Sequence, residues 1–213
     1  MEQAIETLAR AVVILASTSL ACVGLLVLAR ERGEVRPAPL ERAGGAVGLV
    51  NFVGIGAFVF VGLGSALSLA GTIRPPAGSH DDAVRLVGIG VLWAAGLLAA
   101  CGLRAMGRQL VSAAEVRPDT RLVTSGPFRL VRHPLYLSVL LLWAGGALAL
   151  LSWVMALCLV LLWPLFVVRA RQEEVLLERH FGAAYREYAE RVPMLLPGRP
   201  PGPGRPSRPV RRG

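Results

Sequence analysis

The sequence predicts an all-α integral membrane protein with five transmembrane helices and a C-terminal cytoplasmic amphipathic helix. Three observations support this fold class. The 213-residue chain is 54% hydrophobic, it contains four uncharged runs long enough for membrane helices, and its 23 basic residues, all arginine, are distributed unevenly between alternate connections. A net charge of +9 would also suit a nucleic-acid-binding protein. Aromatic residues are too few and the apolar runs too long for that class, so no nucleic acid partner is expected.

The uncharged runs predict the number of spans. They cover residues 11–29, 43–71, 86–103 and 135–168. A single helix over the last run would be about 51 Å long, whereas the hydrocarbon core of a bilayer is about 30 Å thick. We therefore expect this run to fold back as two helices joined by a turn near residues 151–153, although neither glycine nor proline marks the turn.

The arginine positions predict the orientation of these five spans. Twenty of the 23 arginines fall in residues 30–42, 104–134 and 169–213, which share one side of the membrane. Because basic residues are enriched in cytoplasmic loops, this side is the cytoplasm and includes the C-terminus. The first run has no small-residue cleavage site after a basic start, which predicts a retained helix. The lysine-free composition fits a GC-rich genome, so we expect a bacterial cell membrane.

The fold-back of the last run predicts a polar cluster at the cytoplasmic boundary. It brings the segment before the fourth span close to the segment after the fifth, although about 40 residues separate them. The ionisable and phenolic side chains in these segments are those of His133, Tyr136, Arg169, Arg171, Glu173 and Glu174. Such groups are costly near hydrocarbon, so a cluster of them indicates a functional site. The simpler interpretation makes His133 a helix cap, Tyr136 a member of an aromatic belt, and Arg129 and Arg132 interfacial anchors.

The C-terminal region is predicted to form an amphipathic helix followed by a disordered tail. One helical face carries residues spaced three or four apart, namely Leu177, Phe181, Tyr185, Tyr188 and Val192. Gly182 is a candidate break within this helix. Residues 198–213 are rich in proline, glycine and arginine and contain no acidic residue, which is typical of disorder.

The remaining patterns predict smaller features. Residues 114–128 are expected to contain a short hairpin between Val116 and the Leu122-Val123 pair. The pair Gly88 and Gly90 lies inside a predicted span and lacks a third glycine, so it indicates helix packing and not a nucleotide loop. The three cysteines lie in apolar runs without metal-ligand spacing, and no metal site is expected.

Two segments carry a resemblance to a known family. "LVTSGPFRLVRHPLYLS" and "RARQEEVLLERHFGAAYREYAERVPMLLPG" resemble the isoprenylcysteine carboxyl methyltransferase and phospholipid N-methyltransferase family of integral membrane enzymes. The likeness is specific over residues 120–198. Two positions depart from the family pattern, where Phe128 replaces a tyrosine and Ser138 replaces a glycine; neither removes the central polar groups.

The resemblance implies transfer of a methyl group from S-adenosylmethionine to a lipophilic or small acceptor at a site facing the cytoplasm. The cofactor-binding residues that it implies are Gly126, His133, Pro134, Tyr136, Glu173 and Glu174. Arg169 would orient the acceptor, with Arg171 as the second candidate. The sequence thus divides into a three-span region at 1–103, a region at 104–197 that the resemblance implies is catalytic, and the tail at 198–213. Whether the acceptor is a phospholipid amine, an isoprenoid acid or a small thiol stays open.

Two other functions are compatible with parts of the pattern. A membrane reductase of the steroid 5-alpha-reductase-like type has a similar Arg-His-Pro-x-Tyr element and uses a nicotinamide cofactor. Its typical form has asparagine and glutamate where this chain has Leu135 and Ser138, which argues against it. A non-enzymatic, lipid-binding membrane protein is the other alternative. Binding of S-adenosylhomocysteine, of NADPH or of neither distinguishes the three.

Overall fold

The computed structural model describes residues 81–107 and 121–198, the residue pairs at 41–42 and 115–116, and seven helical residues between positions 4 and 12. This part of the chain is almost entirely helical, which confirms the predicted helical class. Its elements in chain order are β1 (Glu41–Arg42), α1 (Asp81–Met106), β2 (Glu115–Val116), a 3₁₀ helix (Gly126–Arg129), α2 (Pro134–Leu150), α3 (Trp153–Phe181) and α4 (Ala183–Arg191).

Two of these helices, α1 and α3, are long and apolar enough to cross a membrane, and α2 is a shorter apolar helix. The predicted span at 86–103 lies inside α1. Large apolar side chains remain exposed on both long helices, including Trp93 at 71% and Val160 at 67%, as is expected of helices that face lipid. The predicted spans at 11–29 and 43–71 lie outside the described residues, apart from positions 11 and 12, so the count of five spans stays a prediction.

Helices α1 and α2 pack closely because glycines lie between them. A Cβ atom added to Gly88 would overlap the backbone of Ala149, and one added to Gly145 would lie 2.9 Å from the Leu92 backbone nitrogen. Because glycine has no side chain, the two backbones can approach closely, which is a common basis of helix association in membranes. The packing role predicted for Gly88 is therefore confirmed. No neighbouring atom lies within 4 Å of the Cβ position at Gly90.

The predicted fold-back occurs between α2 and α3, where the turn consists of Leu151 and Ser152. Leu151 has a left-handed backbone conformation (φ 49°), and its N–H donates to the Leu148 carbonyl. The Ser152 N–H donates to the Ala147 carbonyl at 2.9 Å. These two bonds form a Schellman-type helix end, which normally has glycine at the left-handed position. Ser152 then caps α3, because its side chain accepts from the Met155 N–H.

Helix α3 extends further than the apolar run predicts. The run ends at residue 168, but α3 continues to Phe181 and ends where Gly182 adopts a positive φ of 56°. The chain then resumes as α4, so the predicted break at Gly182 is confirmed. Tyr185, Tyr188 and Val192 are buried together, with Leu177 and Phe181 packed against them. Contact of this face with a membrane surface stays a prediction.

The chain that follows α4 returns to the start of α2. The backbone N–H groups of Arg132 and His133 donate to the carbonyls of Pro193 and Met194 at 2.9 and 3.1 Å. Leu195 is buried in the core between the helices. The C-terminal end of the described chain is therefore fixed beside the segment that precedes α2.

The predicted hairpin near residue 116 is wrong in its pairing. Val116 pairs with Glu41 in a two-residue antiparallel ladder between β1 and β2, and Leu122 and Val123 are not in a strand. Leu122 packs against the buried tyrosine cluster and Val123 against the main core. The apolar pair is used for packing against helices, which a local turn pattern does not reveal.

Candidate active site

The open end of the α2–α3 hairpin brings together buried polar side chains from two distant segments. Pro134 begins α2 and is itself buried, and His133 precedes it. Proline suits this first position because its missing N–H is not needed there. Opposite lies the last part of α3, where Arg169 and Glu173 are buried one helical turn apart. The juxtaposition predicted from the fold-back is confirmed.

Tyr136 and Glu173 form the innermost contact of this cluster. The tyrosine hydroxyl donates to Glu173 Oε1 at 2.5 Å, and both side chains are buried. The edge of the Phe166 ring contacts Tyr136, with centroids 5.2 Å apart. Arg169 Nε lies 3.6 Å from Glu173 Oε1. A buried carboxylate is costly unless it is paired and hydrogen-bonded, and Glu173 has a phenol and a guanidinium beside it.

His133 connects the two adjacent glutamates. Its ring lies nearly parallel to that of Tyr136, with centroids 5.5 Å apart. Nε2 lies 3.2 Å from Glu174 Oε1, and Nδ1 lies 3.7 Å from Glu173 Oε2. The His133 side chain makes no capping hydrogen bond to α2. His133 therefore occupies the N-cap position that the simpler interpretation gives it, but its side chain does not cap the helix, because its ring contacts carboxylates from α3.

Arg132 is also a member of this cluster. Its sequence position predicted only an interfacial anchor. Its side chain is 8% exposed, and Nε donates to Glu174 Oε1 at 2.7 Å. Nη1 donates to the carbonyls of Ala189 and Val192, both at 2.7 Å. The sequence signal for Arg132 is its position directly before His133. Composition alone does not separate it from Arg129, which is exposed.

The buried tyrosines of α4 form the adjoining wall. The Tyr188 hydroxyl donates to the Phe128 carbonyl at 2.7 Å. Burial raises the pKa of Tyr188, and nearby Arg132 opposes this rise. Burial likewise raises the pKa of Tyr185, and the negative charge of Glu174 adds to the rise. Both phenols are therefore protonated at neutral pH, and the Tyr188 hydroxyl can donate to the carbonyl of the 3₁₀ helix.

Three residues of the predicted site lie at its edge or outside it. Pro134 contributes packing, because its ring lies between α2 and Gly102 of α1. Gly126 is exposed and has a positive φ of 60°, with Ala105 as its neighbour, so its local role is to permit the turn into the 3₁₀ helix. Arg171 is exposed on α3, whereas Arg169 is buried in the cluster. The roles of Gly126 and Arg171 in binding or catalysis stay predictions.

The arrangement suits the binding of a zwitterionic ligand. Two acidic and two basic side chains, those of Glu173, Glu174, Arg132 and Arg169, balance in formal charge within one buried network. Carboxylates bind ammonium groups, and a guanidinium binds a carboxylate with two parallel hydrogen bonds. Among the residues that the structure describes, no group of His, Cys, Asp and Glu side chains could hold a metal ion.

Most of these residues lie in a part of the chain that is similar to known proteins. Residues 84–184 match the family model described as phospholipid methyltransferase. The chain is 34% identical over 94 residues to protein-S-isoprenylcysteine O-methyltransferase B of Arabidopsis thaliana, which covers 43% of this chain and 48% of that protein. It is 42% identical over 80 residues to a probable protein-S-isoprenylcysteine O-methyltransferase of Oryza sativa subsp. indica, which covers 36% of this chain and 41% of the relative.

A bacterial relative has a different name. The chain is 32% identical over 118 residues to the nickel-cobalt-cadmium resistance protein NccN of Alcaligenes xylosoxydans xylosoxydans, over 54% of this chain and 46% of that protein. This chain therefore matches less than half the length of each of these three curated relatives. The matched model begins within α1 and ends just after Gly182, so it contains the hairpin and its polar cluster.

Proposed function

We propose that this chain is a membrane-embedded, S-adenosylmethionine-dependent methyltransferase, related to the phospholipid methyltransferases and isoprenylcysteine O-methyltransferases that residues 84–184 resemble. The acceptor is a lipophilic or small molecule. The site faces the cytoplasm of a bacterial cell and opens towards both water and lipid. The observation that carries this proposal is the buried network of Tyr136, Glu173 and His133 at the end of two apolar helices.

The residues present fit the cofactor. S-adenosylmethionine carries an α-ammonium group and an α-carboxylate, and it supplies an activated methyl group on its sulfonium. Glu174 is the more accessible of the two acids, with 19% of its side chain exposed against 3% for Glu173. We assign the ammonium group to these two carboxylates. His133 and Tyr136 complete the polar end of this binding site. Pro134 fixes the chain directly after His133, and Gly126 is assigned to the edge of the same site.

Arg169 is the residue assigned to the acceptor. It is buried on α3 at the end of the apolar part of the helix, one turn before Glu173. A cation at this depth can orient an anionic or polar group whose hydrophobic part lies in the membrane. Methyl transfer needs the acceptor atom in line with the sulfonium, and alignment of two reactants can supply several kcal/mol of the barrier reduction. Arg171, two positions further and exposed, is the second candidate.

The proposal is tested by ligand binding to the purified full chain in detergent. Calorimetry should detect binding of S-adenosylhomocysteine and no binding of NADPH. The variants Glu173→Gln and His133→Ala should each lose this binding while remaining inserted in the membrane. Binding of NADPH alone would support the reductase, and binding of neither ligand would support a non-enzymatic membrane protein.

The acceptor is identified by a second experiment. Membranes that contain the protein are incubated with S-adenosylmethionine carrying a labelled methyl group, and the labelled product is separated as lipid, protein or small molecule. Label that requires Glu173 supports the proposed enzyme and names its acceptor class. Glu187→Gln is a suitable control, because this exposed acid of α4 pairs only with Arg191 among the described ion pairs.

A further inference from the structure

We infer that Arg132 is a positioning residue that attaches the end of α4 and the chain after it to the polar site, and that this attachment orients Glu174 and His133. The expected effect on ligand affinity rests on the proposed function. The expected effect on the position of the chain near α4 does not. Arg132 acts through its neighbours, and no direct contact with cofactor or acceptor is assigned to it.

Arg132 donates three hydrogen bonds that reach both α3 and the end of α4. One side chain donates to the Glu174 carboxylate and to the carbonyls of Ala189 and Val192, each at 2.7 Å. The Arg132 side chain is 8% exposed, so water competes weakly for these acceptors. The planar guanidinium presents several N–H groups in fixed directions, which a lysine ammonium does not reproduce.

The backbone of residues 132–133 also bonds to the chain after α4. Arg132 N–H donates to Pro193 and His133 N–H donates to Met194. Leu195 is then buried among core residues. Residues 189–195, the C-terminal strap, are thus joined to residues 132–133 by both side chain and backbone.

Glu174 joins Arg132 to His133. Glu174 Oε1 accepts from Arg132 Nε and lies 3.2 Å from His133 Nε2. Displacement of the C-terminal strap would remove two of the three acceptors of Arg132 and free its guanidinium to turn. Glu174 Oε1 would then lose the bond that holds it beside His133 Nε2, so the strap and the ligand-binding groups should respond together.

The test uses the full chain in detergent and the variant Arg132→Lys, which keeps the charge and removes the guanidinium. Hydrogen exchange of peptides covering residues 189–195 should become about tenfold faster, because an opening that costs one charged hydrogen bond less is more populated. Affinity for S-adenosylhomocysteine should fall by about tenfold for the same reason. Arg129→Lys is the matched control, because Arg129 is exposed three residues earlier and should change neither quantity.

A double-variant cycle with Glu174→Gln separates positioning from general loss of structure. If Arg132 acts through Glu174, the double variant should exchange no faster and bind no more weakly than the worse single variant. Additive effects on both readouts overturn the inference, as does wild-type exchange in Arg132→Lys. Faster exchange with unchanged affinity overturns the orienting role. If the wild-type chain binds no S-adenosylhomocysteine, the proposed function fails, and the cycle in hydrogen exchange alone decides whether Arg132 and Glu174 fasten the strap.

Discussion

The two ends of the α2–α3 hairpin are stabilised in different ways. At the closed end the helix backbones lie close together, because Gly88 and Gly145 let α1 and α2 approach and a two-residue turn joins α2 to α3. The Arg85 side chain of α1 also donates a hydrogen bond to the Ala149 carbonyl there. At the open end, side chains that are costly to bury, such as Arg169 and Glu173, lie in the interior. An apolar end would satisfy the membrane at lower cost. The buried polar groups at the open end therefore indicate a functional site, whereas the closed end indicates close helix packing.

The largest expected effect concerns activity at the open end. Arg169→Gln should lower methyl transfer by about a hundredfold, as removal of one well-placed donor to a reacting group typically does. Arg171→Gln, on the exposed side of the same helix, should lower it by less than about threefold. Incorporation of labelled methyl groups into a membrane extract measures both. Equal losses in the two variants would remove the distinction between a buried and an exposed arginine on which the acceptor assignment depends.

The next effect concerns stability at the closed end. Gly88→Ala should destabilise the protein by about 2 kcal/mol, because the added methyl group meets the Ala149 backbone, which cannot rotate away. Gly90→Ala should be neutral or slightly stabilising, since its Cβ position is open and alanine favours a helix. Thermal unfolding in one detergent compares the two. A stable Gly88→Ala variant would mean that α1 and α2 do not pack at this distance.

Two tyrosine-to-phenylalanine variants compare a hydrogen bond inside the polar cluster with one in the adjoining wall. Tyr136→Phe removes the hydroxyl that donates to Glu173, so it should cost about 1.5 kcal/mol and also weaken S-adenosylhomocysteine binding. Tyr188→Phe removes a bond to the Phe128 carbonyl and should cost about 1 kcal/mol with affinity retained. Calorimetry and thermal unfolding separate these outcomes. Retained affinity in Tyr136→Phe would contradict the proposed binding role of this residue.

The smallest effect concerns the turn at the closed end. Leu151 has a left-handed backbone that costs a side-chain-bearing residue about 1 kcal/mol relative to glycine. Leu151→Gly should therefore raise stability by roughly 0.5 kcal/mol after the greater chain entropy of glycine is subtracted. Ligand affinity should stay at the wild-type value, because the turn is at the opposite end of α2 from His133. A loss of stability would mean that the side-chain packing of Leu151 outweighs its backbone strain.

Chain length and composition predicted the long-range outline of the described region. A 34-residue uncharged run is too long for one span. This limit predicted a turn near residues 151–153, and the structure has it at Leu151 and Ser152. The turn then required His133 to lie near Glu173 and Glu174. Gly182 was also readable as a helix break, because glycine is both a weak helix former and tolerant of positive φ. These features follow from length and from single-residue conformational preference.

Packing between the helices determines which polar residues share contacts. Arg129 and Arg132 are alike in composition and differ by three positions, but one is exposed and the other bonds to Glu174 and to the chain after α4. Likewise Arg169 is buried and Arg171 is not. Val116 pairs with a residue 75 positions away in place of its predicted neighbour. Direction of a side chain and choice of a distant partner depend on packing between elements, which no local pattern encodes.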